Sequence, residues 1–167
     1  MMKGRTCIMS VEKVRNYLKK FNLDQKVREF EVSSATVELA AKAAGVVPGK
    51  IAKTMSFKIE DSAILIVTAG DCKIDNHKFK ETFFTKAKML SPEEVTYFTG
   101  HQIGGVCPFD IPDKGVKVYL DNSMKRFDIV LPAAGSSSSC VELTLEELHR
   151  ASNATDWVDV CKELKAV

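Results

Sequence analysis

Lys53 stands in the segment Ile51-Ala52-Lys53-Thr54-Met55-Ser56-Phe57-Lys58-Ile59, which alternates with the period of a strand. Ile51, Met55, Phe57 and Ile59 share one face, and Lys53 lies in their row. An ammonium in an apolar row is partly withdrawn from water, which is costly unless a counter-charge meets it, so the position suits an anion or an ester. A lysine at a strand end that carries its charge out to solvent satisfies the same pattern.

A second candidate is the stretch Gly104-Gly105-Val106-Cys107-Pro108-Phe109. Paired glycines let the backbone approach a ligand and expose N–H groups, and converging amides can hold the negative oxygen of a tetrahedral intermediate. Ester hydrolysis needs that provision. A tight connection that only requires glycine fits equally, and no Gly-Lys-Ser/Thr comes after it to make a phosphate loop.

Cys107 and His101 raise a third possibility, a thiol nucleophile with an imidazole base. The commoner use of cysteine is as a small buried apolar residue. His77 and His149 fall among charged residues on expected helices, which suits a solvated surface. The run Ser136 to Ser139 lacks a G-x-S-x-G elbow and reads as a loop. Asp128, inside the expected strand Phe127 to Leu131, could face a cleft or form a salt bridge, since carboxylates are depleted in strands. Lys73, Lys78, Lys80, Lys86 and Lys88 give a local basic surface able to meet phosphates, although most such runs are solvated faces.

The elements that must position these groups are legible from periodicity and caps. Val11, Val14, Leu18 and Phe21 recur at helical spacing behind Ser10, giving a first helix that ends near Asn22 and leaving residues 1–9 as a loose extension. Val27 to Val32 reads as a strand, and Thr36 to Ala44 as an alanine-rich helix stopped by Gly45. The strand carrying Lys53 turns at Glu60 to Ser62 into a buried strand, Ala63 to Ala69. A short helix comes after Asp75, and Ser91-Pro92-Glu93-Glu94 opens another that ends at Gly100. Residues 101–113 form a shaped loop, with strands at Val116 to Leu120, Phe127 to Leu131 and Val141 to Leu143. Thr144 with Glu147 is a further capping box, and a last helix is expected from Asp156 to Lys165. Strands scattered among helices without a strict βαβ rhythm predict an α+β fold with a mixed sheet.

Composition narrows the function classes. A chain of 167 residues with 45% hydrophobic and 28% charged residues is sized for one domain, expected over 10–167. Lysine and arginine number 24 against 22 acids, so nothing draws the whole molecule onto long nucleic acid and DNA is not an expected partner. The first residues lack the apolar run of a secretory signal, and no stretch approaches the roughly 20 residues that span a bilayer. Five cysteines, odd in number and without C-x-x-C or histidine spacing, read as reduced thiols in the cytoplasm and not as a metal site.

The chain resembles the YbaK/prolyl-tRNA-synthetase-associated editing family. The likeness runs through the helix ending at Gly45, Ile51-Ala52-Lys53-Thr54, Thr68 to Phe79, Thr99-Gly100-His101, the Gly104 to Phe109 loop, and Tyr119 through Gly135, roughly residues 10–150. It implies a mixed sheet curled toward a barrel with helices outside, and a pocket for an aminoacylated terminal adenosine. Lys53 matches the family's lysine, and Gly104 and Pro108 match its G-x-x-x-P loop. The amides near Gly104 and Gly105 would then grip the substrate carbonyl, with Thr54, Val106, Cys107, Pro108 and Asp128 at the substrate.

The activity that this resemblance implies is that of a trans-editing deacylase hydrolysing mischarged tRNA, with tRNA-Pro carrying alanine or cysteine as the first candidate. No cofactor is implied. The implied partners are the acceptor end of aminoacyl-tRNA and, as a further candidate, prolyl-tRNA synthetase. Two rivals remain: a non-catalytic module that binds tRNA ends or a synthetase, and a Cys107-dependent hydrolase. The amino acid removed, the preferred tRNA and the oligomeric state are not written in the sequence.

Overall fold

A computed structural model describes residues 2–31 and 36–163, residues 2–9 as backbone alone. Its first element departs from expectation. Helix α1 runs Met2–Leu18, so residues 2–9 are helical and not a loose extension, and Ser10 lies inside the helix instead of capping it. No proline interrupts this stretch, and each residue added to an existing helix gains a hydrogen bond. A single 3-10 turn, Lys19–Phe21, then closes on Asn22 in the left-handed conformation.

Strand β1 (Val27–Glu29) leads to α2 (Val37–Ala44), whose start is fixed by Thr36 accepting the Leu39 N–H and whose end is fixed by Gly45 at φ 74°. The expected strand residue Val32 lies outside the described residues. Next come β2 (Ile51–Ile59), β3 (Ser62–Ala69) and β4 (Cys72–Ile74). Asp75 caps α3 (Asn76–Phe83), and a complete capping box from Ser91 and Glu94 opens α4 (Pro92–Thr99). After the long loop come β5 (Lys117–Asp121), β6 (Ile129–Pro132), β7 (Ser139–Val141) and β8 (Leu143–Thr144). The second capping box, Thr144 with Glu147, opens α5 (Leu145–Ser152).

The expected helix from Asp156 to Lys165 is overturned. Asp156–Val158 is strand β9, parallel to β5, and Cys161–Glu163 is β10, antiparallel to β4. The open edges of β5 and β4 offer backbone hydrogen bonds that a short isolated helix cannot match, since helix nucleation is costly.

Six strands form one strongly curled sheet in the order β8-β6-β2-β3-β5-β9, with parallel and antiparallel pairs mixed as the sequence predicts for an α+β fold. β3 sits near its middle. Leu65, Ile66 and Val67 are fully buried, each stabilising the fold by about 1.5–3 kcal/mol. On one face the rings of Phe57, Phe79, Phe83 and Tyr119 succeed one another at centroid distances of 5.0, 4.9 and 5.1 Å, locking α3 to the sheet. Among the described residues no helix is long and apolar enough to cross a membrane.

Candidate active site

The site begins with an interruption in strand pairing. Ile51 and Ala52 of β2 pair with Leu131 and Pro132 of β6. Farther along, the Lys58 N–H donates to the Lys88 carbonyl at 2.8 Å and the Leu90 N–H to the Ser56 carbonyl at 3.4 Å. Between these contacts the same edge of β2 has no partner strand among the described residues. Backbone groups alternate in direction along a strand, so those of Thr54 point out of the edge used by Ser56 and Lys58.

A cavity of about 310 Å³ opens at that gap. Its walls come from Val37 and Ala40 of α2, residues 51–56 of β2, Met89 and Leu90, Val95 of α4, the Ile103–Gly104 turn with Val106, and Ser136, Ser139 and Cys140. Lys53 is the one charged residue among the described lining. It is half-buried and lies within 4 Å of no carboxylate among the described residues. In register it sits opposite Thr68. The Asp121 carboxylate accepts the Ser123 and Val160 N–H groups, each at 2.8 Å. Burial and Asp121 push up the pKa of the nearby Cys161 thiol, and the Lys53 charge opposes that shift.

Thr54, next to the lysine, carries a buried hydroxyl with no hydrogen-bond partner among the described residues. A buried hydroxyl left unmet costs about 1–3 kcal/mol, and this one lies on the cavity wall.

The glycine loop is held from beneath. The Thr99 hydroxyl donates to the Val95 carbonyl at 2.7 Å and accepts the His101 N–H at 3.1 Å. Nε2 of His101 lies 2.8 Å from the Phe109 carbonyl and 3.5 Å from the Cys107 thiol. Gly104, at φ 95°, adopts a conformation that L side chains rarely take and faces solvent at the cavity wall. Its amide donates to no backbone carbonyl of a described residue. Gly105 differs. Its N–H donates to the Gln102 carbonyl at 3.0 Å, and a Cβ there would meet the Gly135 carbonyl oxygen at 2.7 Å.

The structure therefore brings together Lys53, Thr54, Gly104 and Val106 and leaves the other candidates outside. Gly105 is buried under the turn with its amide already engaged, so the expected pair of oxyanion amides reduces to the Gly104 side. Pro108 is buried in the loop's support and does not line this cavity. Cys107 does face His101, but the pair is sealed in the core, and burial pushes the thiol pKa up to about 12 while lowering that of His101. Asp128 sits at an exposed bend before β6, outside the strand and the cavity.

Sequence reasoning missed Ser136 and Ser139. Both are buried cavity-lining residues whose hydroxyls bond to each other at 2.9 Å. The available signal was Gly135 before them: at φ 98° it lets the chain pass within 2.5 Å of Ser10's carbonyl oxygen, measured from where a Cβ would sit. Among the described residues no three histidine, cysteine, aspartate or glutamate side chains gather to hold a metal.

The curled mixed sheet is that of an editing-domain protein of the YbaK type. Residues 31–151 match the aminoacyl-tRNA editing domain, and the chain belongs to that family. It is 53% identical over 156 residues to the uncharacterized protein YwhH of Bacillus subtilis (strain 168), covering 93% of this chain and 99% of that one. It is 26% identical over 112 residues to a proline--tRNA ligase of Listeria monocytogenes, covering 66% of this chain but only 19% of the ligase. A solved structure described as a candidate trans-editing enzyme for prolyl tRNA synthetase superposes with a TM-score of 0.83 at 28% identity, covering 92% of this chain and 97% of that one.

Proposed function

We propose that the chain is an aminoacyl-tRNA deacylase that hydrolyses the ester of a mischarged tRNA, with tRNA-Pro carrying alanine or cysteine as the first candidate. The observation that carries this reading is the placing of Lys53 and Gly104 on the wall of one cavity whose described lining holds no carboxylate and no imidazole. Such a site stabilises negative charge but has no side-chain base or ionised nucleophile. The reaction suits it, because an ester of a ribose hydroxyl is activated toward water.

In this mechanism the Lys53 ammonium and the Gly104 amide receive the negative charge that develops on the carbonyl oxygen. Thr54 and Ser136 supply hydroxyls that orient the aminoacyl-adenosine end. A water oxygen attacks the carbonyl carbon, the neighbouring ribose hydroxyl of the substrate relays the proton, and the ester C–O bond breaks. The products are the free amino acid and a ribose hydroxyl. The cavity measures about 310 Å³, and a site of this kind would select its amino acid by excluding side chains too large to enter beside the adenosine.

Purified protein incubated in turn with tRNA charged with alanine, cysteine, serine, threonine or proline tests this. Release of alanine or cysteine, retention of proline, and loss of release in Lys53→Ala by about 100-fold or more are expected. Binding of charged tRNA without release would select the non-catalytic reading instead, and full activity in Lys53→Ala would remove the proposed site.

A further inference from the structure

Helix α3 ends on two phenylalanines with opposite fates. Phe83 packs on Phe79 and Tyr119, whereas Phe84 is 88% exposed. Phe84 is also the helix C-cap, at φ 62°, with its N–H donating to the Lys80 carbonyl at 2.8 Å. A bulky residue in the left-handed region is disfavoured, and so is an aromatic ring left in water. Glycine or asparagine would cap the helix with less strain.

The residues after this cap carry positive charge toward the cavity. Lys86 and Lys88 are exposed, while Ala87 between them packs on the core, so the two ammonium groups share the outer side. Lys80 is exposed one helical turn before Phe84. None of the three lies within 4 Å of a carboxylate among the described residues, and the intervening Glu81 is engaged with His77 at 2.9 Å. Met89, 58% exposed, then bridges to Phe57 of β2 and lines the cavity. From Phe84 to Met89 the chain can span no more than about 18 Å.

We infer that this strip docks the single-stranded 3′ end of the tRNA whose terminal residue enters the cavity. Phe84 stacks on a base upstream of the terminal adenosine, and Lys86 and Lys88 meet the phosphates between. The inference rests on reading the cavity as an aminoacyl-adenosine site. Alternation of an exposed ring with unpaired cations suits a strand that alternates bases with phosphates, because every base has a face to stack and each phosphate a charge to meet. With 24 basic against 22 acidic residues, attraction of this kind must come from a local strip.

Binding is measured by fluorescence anisotropy with a 5′-labelled, uncharged acceptor hairpin that keeps its single-stranded 3′ tail, and with the same hairpin made blunt. Phe84→Ala is expected to weaken binding of the tailed hairpin about tenfold, with Phe84→Trp restoring it. The Lys86→Ala/Lys88→Ala double variant should lower both affinity and its salt dependence, by about two phosphate contacts. Hydrolysis of alanyl-adenosine, which lacks upstream nucleotides, should be unchanged in every variant. Unchanged tailed-hairpin binding in Phe84→Ala would overturn the inference, as would equal loss on the blunt hairpin or a Phe84-dependent dimer in solution. Phe84-dependent binding by a protein that hydrolyses no aminoacyl-tRNA would support the docking strip while removing the deacylase reading.

Discussion

Nε2 of His101 lies 2.8 Å from the Phe109 carbonyl oxygen, so the residue that opens the glycine loop is tied to the one that closes it. A carbonyl can only accept, which places the proton on Nε2 of a neutral imidazole. Removing the ring in His101→Ala leaves a buried carbonyl unmet and should destabilise the protein by about 1–3 kcal/mol. Deacylation should fall with it, since the loop carries Gly104. Urea denaturation and deacylation of charged tRNA read the two effects.

The same histidine makes stability depend on pH. Burial lowers its pKa below the ordinary histidine value, with the Phe109 contact opposing the shift, so the folded state binds fewer protons than the unfolded one in this window. Its contribution is present above about pH 6.5 and lost as pH falls below that value. Between about pH 7.5 and pH 5.5 the urea midpoint of the native protein should drop more steeply than that of His101→Asn, which cannot titrate. Parallel profiles would show that His101 is not the group responsible.

Thr54→Val should separate binding from folding. The hydroxyl it removes has no partner among the described residues, so its loss leaves thermal stability unchanged or slightly raised. Substrate binding should weaken by about tenfold, seen as a raised KM for charged tRNA. A large drop in melting temperature would show instead that the hydroxyl serves the fold.

Alanine at the two adjacent glycines should act by different routes. At Gly105 a Cβ would fall 2.7 Å from the Gly135 carbonyl oxygen and 2.8 Å from the Ser136 Cα, both backbone, and should cost about 1–3 kcal/mol. At Gly104 the nearest atom would be the Ser137 Cβ at 3.5 Å, so the cost is the φ of 95°, about 1–2 kcal/mol, and the loop can shift to relieve it. Gly105→Ala should therefore lose more stability, while Gly104→Ala should lose kcat out of proportion to its melting temperature.

Thiol chemistry should be slow and irrelevant to turnover. Burial pushes the Cys107 thiol up to about 12 and the Cys140 thiol up to about 11, so neither is ionised near neutral pH. Native protein treated with iodoacetamide at about pH 8 should show little modification at either position by mass spectrometry, and Cys107→Ala should retain deacylation. Rapid alkylation of Cys107 with loss of activity would revive the thiol nucleophile.

Much of this protein is local enough to be read from the chain. Ser91 with Glu94, Thr144 with Glu147, Thr36 before the alanines and Gly45 after them act within a few residues, so the caps appear where the spacing puts them. Strand alternation likewise placed Lys53 in an apolar row, and the lysine does line the cavity. Those relationships depend on backbone geometry that neighbouring residues set for each other.

Residues 156–163 became two strands because β5 and β4 had open edges, a fact about partners distant in the chain. Cys107 went into the core, the commoner use of cysteine, and Asp128 went to an exposed bend, although the sequence allowed it to face a cleft. Ser136 and Ser139 reached the cavity because Gly135 lets their loop pass close under α1. By itself the sequence determined which segments could be helix, strand or turn. Only the curled sheet decided which side chains share the hollow at the edge of β2, because that depends on contacts between segments that no local spacing encodes.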